Sequence, residues 1–93
     1  MNRKLRIELG NELVLALDAN PSTGYSWEAA FDDGSLALLK QEYRSASDLI
    51  GGGGKTIFTF RPVKEGVSTI VLRYRRPWEP EPIKTVSFEV TVS

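Results

Sequence analysis

Apolar residues recur at every second position in one run after another, and this regularity restricts the chain to β structure. Leu5, Ile7 and Leu9 alternate with Arg6 and Glu8. After the turn signal Gly10-Asn11, Leu13, Leu15 and Leu17 resume the alternation as far as Asp18. A third strand is expected over residues 25–31, with Tyr25, Trp27 and Ala29 on one face, and Asp32-Asp33-Gly34 breaks it. Residues 36–44 are ambiguous, because Leu36, Ala37, Leu38 and Leu39 also suit a helical turn; we read a strand, firmer over 39–43. Residues 56–62 put Phe58 and Phe60 on one face and Thr59 and Arg61 on the other. Lys64-Glu65-Gly66 then makes a hairpin turn, followed by 67–75 with Ile70, Leu72 and Tyr74 inward. The last strand, 83–92, turns Val86, Phe88, Val90 and Val92 the same way.

Seven short strands and no strong helix describe an all-β, immunoglobulin-like antiparallel β-sandwich, a single domain over residues 1–93. Trp27, on the third strand, stands where such folds often bury a tryptophan. With 93 residues, 41% of them hydrophobic, and no cysteine, the core and the strand ladders must supply all the stability.

The missing residue types also limit function. Without histidine or cysteine the chain holds neither a Ser-His-Asp nor a Cys-His arrangement, and lacks the usual zinc and transition-metal ligands. The carboxylates are scattered along strands rather than gathered in a calcium pattern, so no enzyme, metal or cofactor is expected. Twelve basic and twelve acidic residues give zero formal charge, which argues against a nucleic-acid partner. The one basic cluster, Arg73, Arg75 and Arg76, faces Glu79 and Glu81 a few residues on and reads as a compensated surface. Apolar runs are strand-sized, so no membrane span is expected. The chain is read as a monomer, either cytoplasmic or a periplasmic or secreted form whose leader has been removed.

If the strands alternate up and down, the connections after the second, fourth and sixth emerge at one end. These are the three oddest stretches: Asn20-Pro21-Ser22-Thr23-Gly24, Gly51-Gly52-Gly53-Gly54, and Arg76-Pro77-Trp78 in a proline-rich turn. Turn chemistry accounts for the first, except for the choice of Ser22 and Thr23: Pro21 fixes φ, Asn20 is pushed extended, and Gly24 permits positive φ. Four consecutive glycines are costly to order; they suit either a flexible surface loop or a close backbone approach to a partner. Trp78, flanked by Pro77, Glu79, Pro80, Glu81 and Pro82, has no alternation to carry it inward and reads as a binding anchor, the alternative being that it folds back over a sheet edge.

Together the three stretches resemble the signature motifs of the chagasin family of cysteine peptidase inhibitors. The family pattern is Asn-Pro-Thr-Thr-Gly and an aromatic, then Gly-x-Gly-Gly, then Arg-Pro-Trp. This chain reads Asn20-Pro21-Ser22-Thr23-Gly24-Tyr25, Gly51-Gly52-Gly53-Gly54 and Arg76-Pro77-Trp78, in the same order and at similar spacing. The resemblance implies an immunoglobulin-like inhibitor whose three loops wedge into the cleft of a papain-like cysteine protease, reversibly and without a covalent bond. It implies that Ser22 and Thr23 lie nearest the catalytic cysteine. The glycine loop would lie along the non-primed side and Arg76, Pro77 and Trp78 over the primed side. Ser22 stands where threonine is commoner, which removes a methyl group from that tip. The alternative is an immunoglobulin-like adhesion or carbohydrate-binding module, with Trp78 stacked on a sugar ring.

Overall fold

A computed structural model describes residues 2–45 and 53–93. The strands are β1 (Asn2–Ile7), β2 (Leu13–Ala19), β3 (Ser26–Ala30), β4 (Leu36–Ser45), β5 (Gly54–Pro62), β6 (Gly66–Arg75) and β7 (Lys84–Val92), with one 3₁₀ turn at Pro21–Thr23. They form a four-stranded sheet of order β1-β7-β6-β3 and a three-stranded sheet of order β2-β5-β4. Every pairing is antiparallel except β1 with β7, which is parallel. That exception follows from the alternation itself. Strands that reverse direction at each connection leave the first and the seventh pointing the same way, so lateral contact between them can only be parallel.

Alternation sends one face of each sheet into a shared core. Phe58, Phe60 and Leu36 come from the three-stranded sheet and Ile70, Leu72 and Val90 from the other, and all six are fully buried. Phe31 meets Phe60 edge-on, with ring centroids 5.1 Å apart. Trp27 is 4% exposed, as its place on the third strand predicts.

The ambiguous run at 36–39 turns out to be strand with a bulge. Leu36 pairs with Pro62 and Leu38 with Phe60, then the register slips so that Lys40 opposes Thr59 and Gln41 opposes Phe58. Leu39 is the extra residue, 45% exposed. One inserted residue moves the inward positions from even to odd numbers, and this is why the apolar run shows no clean period. Leu9 departs from expectation in another way. It lies beyond the end of β1 and is 49% exposed, although its N–H still donates to the Ser93 carbonyl at 2.8 Å.

Candidate functional site

Strand register places the first and third unusual stretches at one end, together with Gly53 and Gly54 of the second. Ala19, Gly54 and Ser45 share one row of the three-stranded sheet, so the connections after β2 and β4 leave from the same edge. In the other sheet Ser26 opposes Arg75 and Tyr74 opposes Lys84, which puts the start of β3 beside the turn that follows β6. Of the glycine loop, Gly53 and Gly54 can be placed, while Gly51 and Gly52 lie outside the described residues.

The 20–24 segment is a closed turn. Asn20, extended at φ −140° and ψ 94°, caps the 3₁₀ helix: its Oδ1 accepts the Ser22 N–H at 3.2 Å and the Ser22 hydroxyl at 2.6 Å. The Thr23 hydroxyl donates to the Asn20 carbonyl at 2.7 Å, and the Gly24 N–H to the Pro21 carbonyl at 3.0 Å. Both hydroxyls that turn chemistry left unexplained are thus folded back onto Asn20, where they hold the turn shut. Gly24 sits in the left-handed region at φ 84°. A Cβ there would also stand 2.9 Å from Cη2 of Trp78 and displace that exposed ring, so the backbone requires glycine and the tryptophan packs closely against it.

A column of flat groups rises from the core to this end. The Trp27 ring lies 4.8 Å from that of Tyr74, and Tyr74 stacks on Tyr25 at 5.3 Å. The Arg76 guanidinium caps Tyr25 at 4.4 Å and lies 5.8 Å from the Trp78 ring. Polar bonds fix the base of the column, since Trp27 Nε1 donates to the Asp18 carbonyl and the Asn20 N–H to the Tyr74 hydroxyl, each at 3.0 Å. Exposure climbs along it, from 4% at Trp27 and 7% at Tyr74 to 70% at Trp78. The two tryptophans therefore divide as the sequence suggests, one in the core and one presented to solvent.

The two turns touch directly. Arg76 Nε donates to the Thr23 carbonyl at 3.0 Å, and its Nη1 meets the Glu79 carboxylate at 3.2 Å. Arg75 bonds the Glu79 carbonyl at 3.0 Å and pairs with Glu28 at 2.8 Å. Two of the three clustered arginines are compensated, Arg76 by Glu79 as expected and Arg75 by Glu28 rather than Glu81, because Glu28 comes alongside only when β3 pairs with β6.

The two placed glycines differ. Gly53 is exposed, and among the described residues a Cβ on it would meet only the Ala19 carbonyl, at 3.6 Å. Gly54 is buried within β5, and a Cβ there would collide with the Arg44 carbonyl and the Tyr43 ring. Beside them Lys55 bonds Asp18 at 2.5 Å, and this bond, then the ammonium charge, holds the Asp18 carboxyl below its ordinary pKa. Sequence reasoning left Asp18, Tyr25, Tyr74 and Glu79 out of the site. The two tyrosines flank the motifs directly, and their aromatic character is the signal that marks them. No group of three or more His, Cys, Asp or Glu side chains that could hold a metal occurs among the described residues, and no helix is long and apolar enough to cross a membrane.

The model of the chagasin family peptidase inhibitor I42 matches residues 6–92. Amoebiasin-2 of Entamoeba histolytica is 29% identical over 95% of this chain and 76% of its own length. Amoebiasin-1 of the same organism is 35% identical over 85% of this chain and 78% of its own length. The crystal structure of the cysteine protease inhibitor EhICP2 from Entamoeba histolytica superposes with a TM-score of 0.90 at 28% identity, over 99% of this chain and 87% of that one. The solution structure of Amebosin gives 0.76 at 33% identity, over 97% and 88%. PbICP-C, solved in complex with falcipain-2, shares the fold at a TM-score of 0.68 and 18% identity, over 100% and 88%. With the family model spanning nearly the whole chain, and relatives of matching fold, the protein belongs to the chagasin family of peptidase inhibitors.

Proposed function

We propose that the protein is a reversible, non-covalent inhibitor of papain-like cysteine proteases that closes the enzyme's cleft with the end carrying residues 20–24, 51–54 and 76–78. The observation that carries this reading is Trp78. It is 70% exposed, yet it stands on Gly24 and Arg76 at the top of a stacked column rooted in the core. A large aromatic held in place before binding is the kind of group that anchors an interface at low entropic cost. Cysteine proteases are the target class because a relative of the same fold, EhICP2, is a cysteine protease inhibitor. No residue of this chain offers a thiol for a covalent bond.

In this reading the closed 20–24 turn enters nearest the enzyme's thiolate, with its hydroxyls tied to Asn20. Gly53 gives its backbone to one flank, and Pro77 and Trp78 cover the other. Hydrogen–deuterium exchange on the complex with papain tests the arrangement. Protection is expected over 20–24 and 76–79. Protection confined to the opposite pole, 8–12 and 63–66, would refute it.

A further inference from the structure

Resting on that reading, we infer that Arg76 is a positioning residue: it latches the 20–24 turn to the 76–79 turn in the free inhibitor. The two turns then reach the protease as one preformed edge. Three observations carry this. First, the guanidinium is spent within the chain. Nε bonds the Thr23 carbonyl at 3.0 Å, Nη1 bonds Glu79 Oε1 at 3.2 Å, and the plane lies 4.4 Å above the Tyr25 ring. Second, the Arg76 side chain is 35% exposed whereas Trp78, two residues on, is 70% exposed, so the arginine is largely covered by its own chain while the tryptophan is left to a partner.

Third, the latch is itself anchored. The Glu79 N–H donates to the Arg76 carbonyl at 3.1 Å, and the Glu79 carbonyl accepts from Arg75 at 3.0 Å. Arg75 is in turn paired with Glu28 of β3 at 2.8 Å. A continuous chain of bonds thus runs from the sheet through Arg75, Glu79 and Arg76 to the Thr23 carbonyl.

A lysine at position 76 preserves the charge but not this function. One ammonium cannot lie flat on Tyr25 while bonding a carbonyl on one side and a carboxylate on the other, as a planar fork does. Electrostatic recruitment of the enzyme predicts the reverse ranking, with lysine nearly as good as arginine. Recruitment is disfavoured here because the Glu79 carboxylate already offsets the charge at 3.2 Å.

The test is ¹⁵N relaxation on the free protein, with association and dissociation rates against papain, for wild type, Arg76→Lys and Glu79→Gln. In wild type the Thr23, Gly24 and Trp78 amides should have order parameters of about 0.85; in Arg76→Lys they should fall below about 0.6 while the strands stay rigid. The dissociation rate should rise roughly 10- to 100-fold with association within about threefold, since lost preorganisation appears mainly in release. Glu79→Gln should loosen Trp78 more than Thr23. Weaker binding by Arg76→Lys with unchanged order parameters would overturn the latch and make Arg76 a direct enzyme contact. Loosening spread over all strands would also overturn it, as a general loss of stability. If wild type fails to inhibit papain, the proposed function fails, while the free-state order parameters still decide the latch.

Discussion

Adding a single methyl group at Gly54 should damage the fold, while the same change at Gly53 should not. Gly54 lies in one row with Ala19 and Ser45, in the middle strand of the three-stranded sheet. A Cβ there would stand 2.5 Å from the Tyr43 hydroxyl and 2.7 Å from Cζ of its ring, and would strike the Arg44 carbonyl as well. The ring can swing away, but the carbonyl can move only by spreading β4 from β5. Overpacking of this kind costs about 1–3 kcal/mol, and a backbone obstacle puts it near the top of that range. The stiffer unfolded chain returns about 0.4–1 kcal/mol, leaving Gly54→Ala destabilised by roughly 2 kcal/mol. In a domain of this length that lowers Tm by about 8–16 °C. Among the described residues Gly53→Ala meets nothing nearer than 3.6 Å, and it should hold or slightly raise Tm. Thermal melting of the two variants beside wild type reads the difference. If Gly54→Ala melts with wild type, the steric reasoning is wrong. The same contrast decides how the glycine loop is probed: weakened inhibition by Gly54→Ala reports a damaged sheet, whereas weakened inhibition by a stable Gly53→Val reports backbone contact with the enzyme.

Trp27→Ala should cost about 3–5 kcal/mol by denaturant unfolding, as it empties a core site, strips Tyr74 of its ring partner and orphans the Asp18 carbonyl. A cost below about 1 kcal/mol would deny Trp27 its core role. Trp78→Ala should leave Tm within a few degrees of wild type and weaken protease binding by about 2–4 kcal/mol, roughly 30- to 1000-fold. The exposed 70% of an aromatic of about 250 Å² sets a ceiling near 4 kcal/mol, and full inhibition by this variant would remove the anchor. Stability should be flat between about pH 5 and 8, because the chain has no histidine. Asp18, bonded to Lys55, and Asp32, which accepts the Ser35 hydroxyl and Gly34 N–H, have carboxyls held below the ordinary 3.8. The stability they add is present above that value and lost as the pH falls through their folded-state pKa. A melting curve that dropped between pH 7 and 5 would contradict this.

The strands were legible because their information is local. Alternation at Phe58, Phe60, Ile70, Leu72, Phe88 and Val90 marks the core face directly, and all six are buried. The segment at 36–39 was not, because the extra residue at Leu39 is defined only by the strand it opposes. Similarly, the parallel partnership of β1 and β7 joins the two ends of the chain, and no local pattern encodes it. At the site, Trp78 declared itself through its proline neighbours. Arg76 and Gly54 read as two more motif residues, and only tertiary contact shows them turned inward, one to Thr23 and the other to Tyr43 and Arg44.

The central claim is inhibition of a papain-like cysteine protease by this chain as it stands, and a titration of active papain with a fluorogenic substrate tests it most directly. Residual activity should fall linearly to an endpoint near one inhibitor per enzyme, return on dilution, and leave the inhibitor at its original mass. Full activity at micromolar inhibitor, or steady cleavage within residues 20–24, would contradict the account.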